Sequence, residues 1–215
     1  MMGATEKTST FFDRYAHDFS AIYGTKNTLF HNVVNKLFRE SMKLRFFMTL
    51  EGCNPVTGRS VLDVGCGPGH YSVALARRGA SRVLGIDFAP GMLDIARESA
   101  QRAGVSDLCT FEQADFIKRD LGDRFDYVVA MGFMDYMERP REVVEKALSV
   151  CNVRAFFSFP LDGGVLAWQR RVRYRSRCEL FLYNESQVRD LFAGTRAKKI
   201  DIEIIARDLF VTAHV

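Results

Sequence analysis

Glycines at positions 65, 67 and 69 follow an apolar run and stand directly before an amphipathic stretch. Glycine lets the backbone turn sharply and lie against a ligand without interference from a Cβ atom. Amide groups at the start of the helix that follows supply hydrogen-bond donors at the same place. Asp87 ends the next apolar run, 18 residues beyond Gly69 (87 − 69), and its carboxylate can accept hydrogen bonds from both hydroxyls of a ribose. Together these residues predict a site for a nucleoside-containing ligand.

The spacing of the glycines distinguishes two cofactors. A dinucleotide fingerprint, G-x-G-x-x-G, needs glycine at position 70, where this chain has His70. The observed pattern, Asp63 followed by G-x-G-x-G, resembles motif I of the class I S-adenosylmethionine-dependent methyltransferases. The resemblance implies that S-adenosylmethionine is the cofactor. The alternatives are a strand-to-helix turn without a ligand and, for Asp87, a cap on the following helix.

Further motifs extend the resemblance over about residues 59–160. In the family, the residue after the ribose-binding acid flanks adenine, and this position is Phe88. The segment 113–116 resembles the adenine-recognition motif, in which Asp115 accepts from the exocyclic amine and the Phe116 amide faces the ring. The run 125–131 resembles the family's fourth strand, whose end leads into the active site. The predicted cofactor-binding residues are Tyr15, Asp63, Gly65, Cys66, Gly67, Gly69, Asp87, Phe88, Met92, Asp115, Phe116 and Met131.

Short apolar runs alternate with amphipathic stretches from Arg59 onward, which predicts a mostly parallel sheet covered by helices on both faces. Among these elements we predict helices at 70–78 and 90–103, each stopped by a glycine, and a strand that begins at residue 154. The runs 198–205 and 208–215 are joined by so short a link that they must pair antiparallel. In the first of them Ile200, Ile202 and Ile204 share one face. We therefore predict an α/β fold with a Rossmann-like, doubly wound, seven-stranded, mostly parallel sheet and a terminal antiparallel strand.

The first part of the chain has helical periodicity at 10–23 and 29–50. We predict that residues 1–55 form an N-terminal helical lid and that residues 56–215 form the cofactor-binding core, within a single domain overall. The resemblance implies that an aromatic residue of this lid lies close to the cofactor. Tyr15 and Tyr23 are the candidates for that position, and His31 and Arg45 are the other functional candidates of the segment.

Methyl transfer from a sulfonium is an in-line displacement, so an enzyme mainly positions the nucleophile, and a base is needed only for a protonated one. After the predicted fourth strand, the chain lacks the [N/D]-P-P-[Y/F] motif with which amino-methylating enzymes of this superfamily hold a planar amine. This leaves O-, C- or other N-methylation of a small molecule, and we expect oxygen. The candidate catalytic residues are Asp135, Tyr136 and Tyr23, with helix capping and core packing as the structural alternatives.

A second resemblance concerns the magnesium-protoporphyrin O-methyltransferases. It is carried by the Ile-Tyr-Gly run at 22–24 and by the Ser-Phe-Pro run at 158–160 with a basic loop after it. In that family the tyrosine of the I-Y-G pattern is functionally important, and Tyr23 matches it. The family also uses a histidine just after the fourth strand, and this chain departs from it with Asp135 and Tyr136.

Five arginines between Arg170 and Arg177, near Trp168 and Tyr174, form the strongest charge cluster. The cluster can bind a carboxylate, a phosphate or a nucleic-acid backbone, and a solvated surface is the alternative. We expect a small-molecule acceptor, anionic if this cluster binds it, and no nucleic acid, because the formal net charge is only +4. The sequence leaves the oligomeric state open.

The composition, 47% hydrophobic and 26% charged over 215 residues, is that of an ordinary globular protein. No stretch approaches the roughly 20 apolar residues that cross a bilayer. Five cysteines without a C-x-x-C pair indicate neither a disulfide framework nor a zinc site. We expect a cytoplasmic protein without a bound metal or a membrane partner. The alternatives in function are an NAD-linked oxidoreductase, a non-catalytic cofactor-binding protein of the same fold, and an RNA methyltransferase.

Overall fold

Strands alternate with helices along most of the chain, and the computed structural model describes residues 29–163 and 180–215, with side chains from residue 41 onward. The helices of this part are α1 (Leu29–Gly52), α2 (His70–Arg77), α3 (Pro90–Arg102), α4 (Pro140–Ser149) and α5 (Glu185–Phe192). The strands are β1 (Ser60–Val64), β2 (Arg82–Asp87), β3 (Cys109–Gln113), β4 (Phe125–Ala130), β5 (Cys151–Pro160), β6 (Lys199–Ile205) and β7 (Asp208–His214).

The seven strands form one sheet in the order β3-β2-β1-β4-β5-β7-β6. The five strands β1 to β5 pair with one another in parallel. Strand β7 pairs antiparallel with both β5 and β6. The predicted α/β fold class, with a mostly parallel sheet and a closing antiparallel strand, is confirmed. The structure adds that the last strand is inserted between β5 and β6.

The central strands are covered on both faces, which explains why they read as continuous apolar runs. In β1, the side chains of Val61, Leu62 and Val64 are completely buried. The edge strand β6 behaves differently: Ile200 and Ile202 are partly buried against the core, but Ile204 is 63% exposed. The predicted alternation therefore holds for Ile200 and Ile202, but at the hairpin end Ile204 is exposed and its neighbour Ile205 is buried instead.

Two apolar clusters lie on opposite faces of the sheet. One contains the buried faces of α4 and α5. The other contains the buried residues of α2 and α3 together with the end of α1, where Leu50 and Cys53 are 3% and 0% exposed. The part of α1 from residue 41 onward therefore packs on the sheet as a covering helix. The division into a lid at 1–55 and a core at 56–215 stays a prediction, and the structure does not describe residues 1–28.

Within the described residues, no helix is both long enough and apolar enough to cross a membrane.

The end of α1 fits tightly against β5, which generates a prediction. A Cβ atom added at Gly52 would lie 2.4 Å from Cε1 of Phe156, whose side chain is completely buried. Gly52→Ala should therefore lower the free energy of unfolding by about 1–3 kcal/mol, as overpacking does, although alanine normally favours a helix. The measurement is urea denaturation. In the Phe156→Leu background the same change should cost much less, and equal losses in the two backgrounds would contradict this contact.

Candidate functional site

The strand order creates a crevice at the carboxyl ends of β1 and β4. From β1 the chain continues to β2 and β3 on one side and later returns to β4 on the other side. At such a reversal the loops leave the sheet in opposite directions, and ligands of open α/β sheets bind in the space between them. The loop 65–69 after β1 and the loop 131–136 after β4 border this crevice.

The three glycines of the first loop have different environments. Gly65, Gly67 and Gly69 have φ values of 67°, 51° and 77°, in the left-handed region that favours glycine. A Cβ atom at Gly65 would lie 2.5 Å from the Phe133 ring, and one at Gly69 would lie 2.9 Å from Ala96. At Gly67 it would meet no atom within 4 Å. Packing thus requires two of the glycines, whereas Gly67 borders open space that a ligand can fill.

Asp87 connects the glycine loop to the end of β2. One carboxylate oxygen accepts the Gly67 amide at 2.8 Å, and the other accepts the Ala89 amide at 2.9 Å. The backbone carbonyl of Ile86 accepts the amide of Gly65 at 2.8 Å. The structure places Asp87 beside the glycine loop, and its bond to Ala89 lies just before α3, whose N-terminus receives no side-chain cap. Its contact with a ribose stays a prediction.

Asp63 lies behind the loop and faces α2. Its side chain is 1% exposed, and one oxygen accepts the Ser72 amide at 3.1 Å and the Ser72 hydroxyl at 2.6 Å. It therefore caps the first turn of α2 from the neighbouring strand. Burial raises the pKa of the Asp63 carboxyl to about 7, although the hydrogen bonds from Ser72 lower it. The sequence did not single out Ser72, and a direct contact of Asp63 with a ligand stays a prediction.

The residues predicted around the adenine gather where β2 and β3 end. The side-chain amide of Gln113 donates to the backbone carbonyl of Phe88 at 3.0 Å, so the two strand ends lie side by side. Asp115 is partly buried and accepts the Ile117 amide at 2.9 Å. The Phe116 ring is 2% exposed, which leaves its backbone for any contact with a ligand. This arrangement is compatible with the predicted roles, which stay predictions.

Met92 and Cys66, also predicted to contact the cofactor, are 4% and 5% exposed. Cys66 belongs to the apolar cluster around α2 and α3, and contacts of the two side chains with a cofactor stay predictions. Burial is the largest cause that raises the pKa of the Cys66 thiol above its ordinary value. The cysteine is therefore protonated near neutral pH and behaves as a small apolar residue.

The loop after β4 carries Met131, Asp135 and Tyr136, the last two on a short 3-10 helix at 134–136. Asp135 is 4% exposed and Tyr136 is partly buried. Burial, followed by the charge of Asp135, raises the pKa of Tyr183 to about 12, so these two side chains are electrostatic neighbours. Tyr183 had no signal in the sequence, because it comes to this edge through a parallel bridge to Leu161. Acid–base roles for Asp135 and Tyr136 stay predictions.

A buried polar network holds the same loop from below. The hydroxyl of Ser158 in β5 accepts the Gly132 amide at 2.8 Å and the Arg45 guanidinium at 3.0 Å. Arg45 forms an ion pair with Asp208 at 3.7 Å, and the Ser41 hydroxyl donates to the same aspartate. From the sequence, Arg45 was one of several functional candidates, but Asp208 was not among them. Their partners are too distant in the chain for a motif to reveal them.

Several predicted residues lie outside the described part of the chain. These are Tyr15, Tyr23 and the arginine cluster 170–177, and the side chain of His31 is not described either. Among the residues whose side chains are described, no group of three or more His, Cys, Asp or Glu side chains is arranged to hold a metal ion.

Known proteins resemble this chain in sequence and in structure. A family model described as a methyltransferase domain matches residues 61–153. The ubiquinone biosynthesis O-methyltransferase of Actinobacillus pleuropneumoniae serotype 7 (strain AP76) is 33% identical over 121 residues, which are 54% of this chain and 51% of that protein. The protein of the same name from Paracidovorax citrulli (strain AAC00-1) is 37% identical over 97 residues, 45% of this chain and 40% of the relative. The match thus spans about half the length of these relatives or less.

The structural likeness extends further. Magnesium protoporphyrin IX methyltransferase from Synechocystis PCC 6803, solved with bound S-adenosylmethionine, has a TM-score of 0.75 and 20% identity, and the match covers 100% of this chain and 98% of that one. At this identity the likeness concerns the fold alone.

The buried carboxyl of Asp63 gives a pH prediction. Its pKa of about 7 in the folded protein lies above the ordinary value of 3.8, so the folded state binds this proton more tightly than the unfolded state. The protonated carboxyl contributes its full stabilisation of the fold below pH 3.8, and this contribution is lost as the pH rises to about 7. Relative to Asp63→Asn, the wild type should lose on the order of 2–4 kcal/mol of unfolding free energy across this window.

Urea denaturation at several pH values measures this difference. Ser72→Ala removes a hydrogen bond that lowers the pKa of Asp63, so this variant should lose more stability over the same window. A difference between wild type and Asp63→Asn that does not change with pH would contradict the prediction.

Proposed function

We propose that this chain, whose residues 61–153 match a methyltransferase domain, transfers a methyl group from S-adenosylmethionine to an oxygen atom of a small molecule. The observation that carries the proposal is the open space at Gly67, at the carboxyl edge of the sheet and next to the carboxylate of Asp87. The names of the sequence relatives support transfer to oxygen. The methyltransferase match speaks against the NAD-linked alternative.

The residues present fit the methyl donor. The backbone at Gly67 leaves room for a ligand that any side chain would occupy. Asp87 accepts the amides of Gly67 and Ala89 beside this space, and a carboxylate offers the acceptor oxygens that ribose hydroxyls need. The same backbone contacts orient the carboxylate before any ligand arrives, which reduces the entropy cost of binding.

S-adenosylmethionine, when bound, supplies an electrophilic methyl carbon on a sulfonium. The protein contributes position: the loop 65–69 holds the donor, and the loop 131–136 on the other side of the crevice presents the acceptor oxygen. An acceptor that arrives as a phenol has a proton to lose, and Asp135 and Tyr136 are the proposed acid–base groups for it, whereas a carboxylate arrives ionised and needs no base. Tyr15 and Tyr23 are the proposed lid residues, with Tyr23 as a further catalytic candidate.

The acceptor is a small molecule, and we propose that the arginine cluster 170–177 contacts it if it is anionic. Two kinds of oxygen nucleophile, a phenol and a carboxylate, are the candidates for the O-methylation that the names of the sequence relatives state. A likeness at 20% identity supports the fold alone, so the carboxylate of a porphyrin is the less supported of the two. The sequence departs from the porphyrin enzymes at Asp135 and Tyr136 as well.

Donor binding can be tested with a matched pair of glycine variants. Gly67 and Gly104 both have positive φ, 51° and 69°, and both border open space, but Gly104 lies in the turn after α3. Gly67→Val should abolish binding of S-adenosylhomocysteine in titration calorimetry, because valine fills the crevice. Gly104→Val should cost a similar 1–2 kcal/mol of backbone strain and leave binding intact. Retained binding in Gly67→Val would place the donor elsewhere.

Acceptor chemistry can be tested with a labelled methyl donor. We expect label transfer to phenols or carboxylic acids and none to amines. Alkali then separates the two products, because methyl esters release methanol and aryl methyl ethers do not. Label found only on nitrogen or carbon would contradict O-methylation, and an absence of turnover across all three classes would contradict the enzymatic proposal.

A further inference from the structure

We propose that Ser158 and Arg45 are positioning residues for methyl transfer: they hold the backbone of the loop 131–136 at the distance from the donor loop that the reaction needs. Neither residue is suggested to touch donor or acceptor. The inference rests on the proposed function, because it assigns a task to residues below the crevice of a methyltransferase.

The first step concerns the hydroxyl of Ser158, which is completely buried in β5. It accepts two hydrogen bonds, from the Gly132 amide at 2.8 Å and from the Arg45 guanidinium at 3.0 Å. A hydroxyl oxygen has two acceptor positions, so both are occupied. One hydroxyl thereby connects α1 to the loop after β4, and the left-handed backbone at Gly132, with a φ of 71°, is held at a single point.

The second step concerns the counter-charge of the buried Arg45 guanidinium. Arg45 is 9% exposed, and an uncompensated buried charge is strongly destabilising. Asp208, at the start of β7 and 2% exposed, supplies the counter-charge at 3.7 Å. The Ser41 hydroxyl, one helical turn before Arg45, donates to the same aspartate oxygen. Both donors come from α1, so the aspartate determines where this helix, and with it Arg45, lies on the sheet.

The third step connects the network to the reacting groups. Gly132 is followed directly by Phe133, whose ring is so close to the donor loop that a Cβ atom at Gly65 would lie 2.5 Å from it. A shift of the Gly132 backbone therefore changes the separation of the two loops that border the crevice. In an in-line displacement, a misplacement of about 1 Å costs on the order of 100-fold in rate.

The chain contains a matched control at the opposite edge of the sheet. Ser60 donates its amide and its hydroxyl to Asp126 at 2.9 and 3.0 Å, and Arg59 pairs with the same carboxylate at 3.2 Å. This second serine–aspartate–arginine cluster joins β1 to β4, the same two strands that border the crevice. It lies at their amino ends, away from the candidate site.

The experiment compares Ser158→Ala with Ser60→Ala in the full chain. Three quantities are measured: the Kd of S-adenosylhomocysteine, kcat with the acceptor that gives turnover, and amide hydrogen exchange over residues 131–136. In Ser158→Ala we expect an unchanged Kd, a fall in kcat of about 10- to 100-fold, and faster exchange in this loop. Ser60→Ala should lower the melting temperature while kcat and loop exchange stay as in the wild type.

Two further variants keep the test decisive. Ser158→Thr retains the hydroxyl and should restore kcat towards the wild-type value. If Ser158→Ala does not fold, Ser41→Ala removes a hydrogen bond to Asp208 without leaving a buried charge unpaired, and kcat should fall in the same direction with an unchanged Kd.

Three results would overturn the inference. Equal losses of kcat in Ser158→Ala and Ser60→Ala would mean a general loss of stability. A raised donor Kd in Arg45→Lys, with Ser158→Ala like the wild type, would make Arg45 a ligand contact. Turnover by the wild type and by Ser158→Ala at the same rate would show that the loop needs no such anchor. A wild type that neither binds S-adenosylhomocysteine nor transfers methyl would instead reject the proposed function.

Discussion

Backbone amides that the sheet no longer pairs at the end of β1 must find acceptors, and the site depends on how they do so. The amides of Gly65 and Cys66 both use the carbonyl of Ile86, at 2.8 and 3.0 Å, and that of Gly67 uses the carboxylate of Asp87. All of these acceptors belong to β2. The register that places Val64 opposite Ile86 therefore also fixes the shape of the glycine loop. A ligand site made of backbone atoms exists only while the parallel pairing of these two strands is intact.

Two carboxylates serve this edge of the sheet in different environments. Asp63 is enclosed, bonds Ser72, and carries a pKa raised by burial, so its task is internal to the fold. Asp87 is partly exposed and faces the loop that borders the crevice. The motif D-x-G-x-G and its downstream acid thus combine a structural residue with a residue available to a ligand. A position in a motif alone does not distinguish the two tasks, because both residues end an apolar strand.

Local sequence patterns were enough to predict most of the helices and strands. The ends of α2 and α3 agree with prediction to within one residue, because glycines 79 and 104, with φ of 99° and 69°, terminate these helices. Strand β5 was predicted from residue 154 but begins at Cys151, since its start is set by pairing with Phe125 rather than by an apolar run.

Long-range contacts could not be predicted from the sequence. Arg45 and Ser158 are 113 residues apart, and Ser41 and Asp208 are 167 apart. No periodicity encodes such pairs, and the position of β7 between β5 and β6 has no local signal either. The glycine loop, in contrast, is a local turn whose residue types are dictated by φ, so this border of the crevice could be predicted. The supports of the other border, the loop 131–136, come from α1, β5 and β7 and could not.

The insertion of β7 between β5 and β6 has a consequence for how the molecule is made. During synthesis β1 to β5 can pair as they emerge, but β6 has no neighbour in the sheet until residues 208–214 have followed it. The nascent protein thus passes through a stage in which β5 is an open edge, a surface prone to pairing with other chains. Because Asp208 arrives with that last strand, Arg45 also gains its counter-charge only then. Closure of the sheet and neutralisation of the buried arginine both depend on β7, which ties the completion of the crevice to this strand.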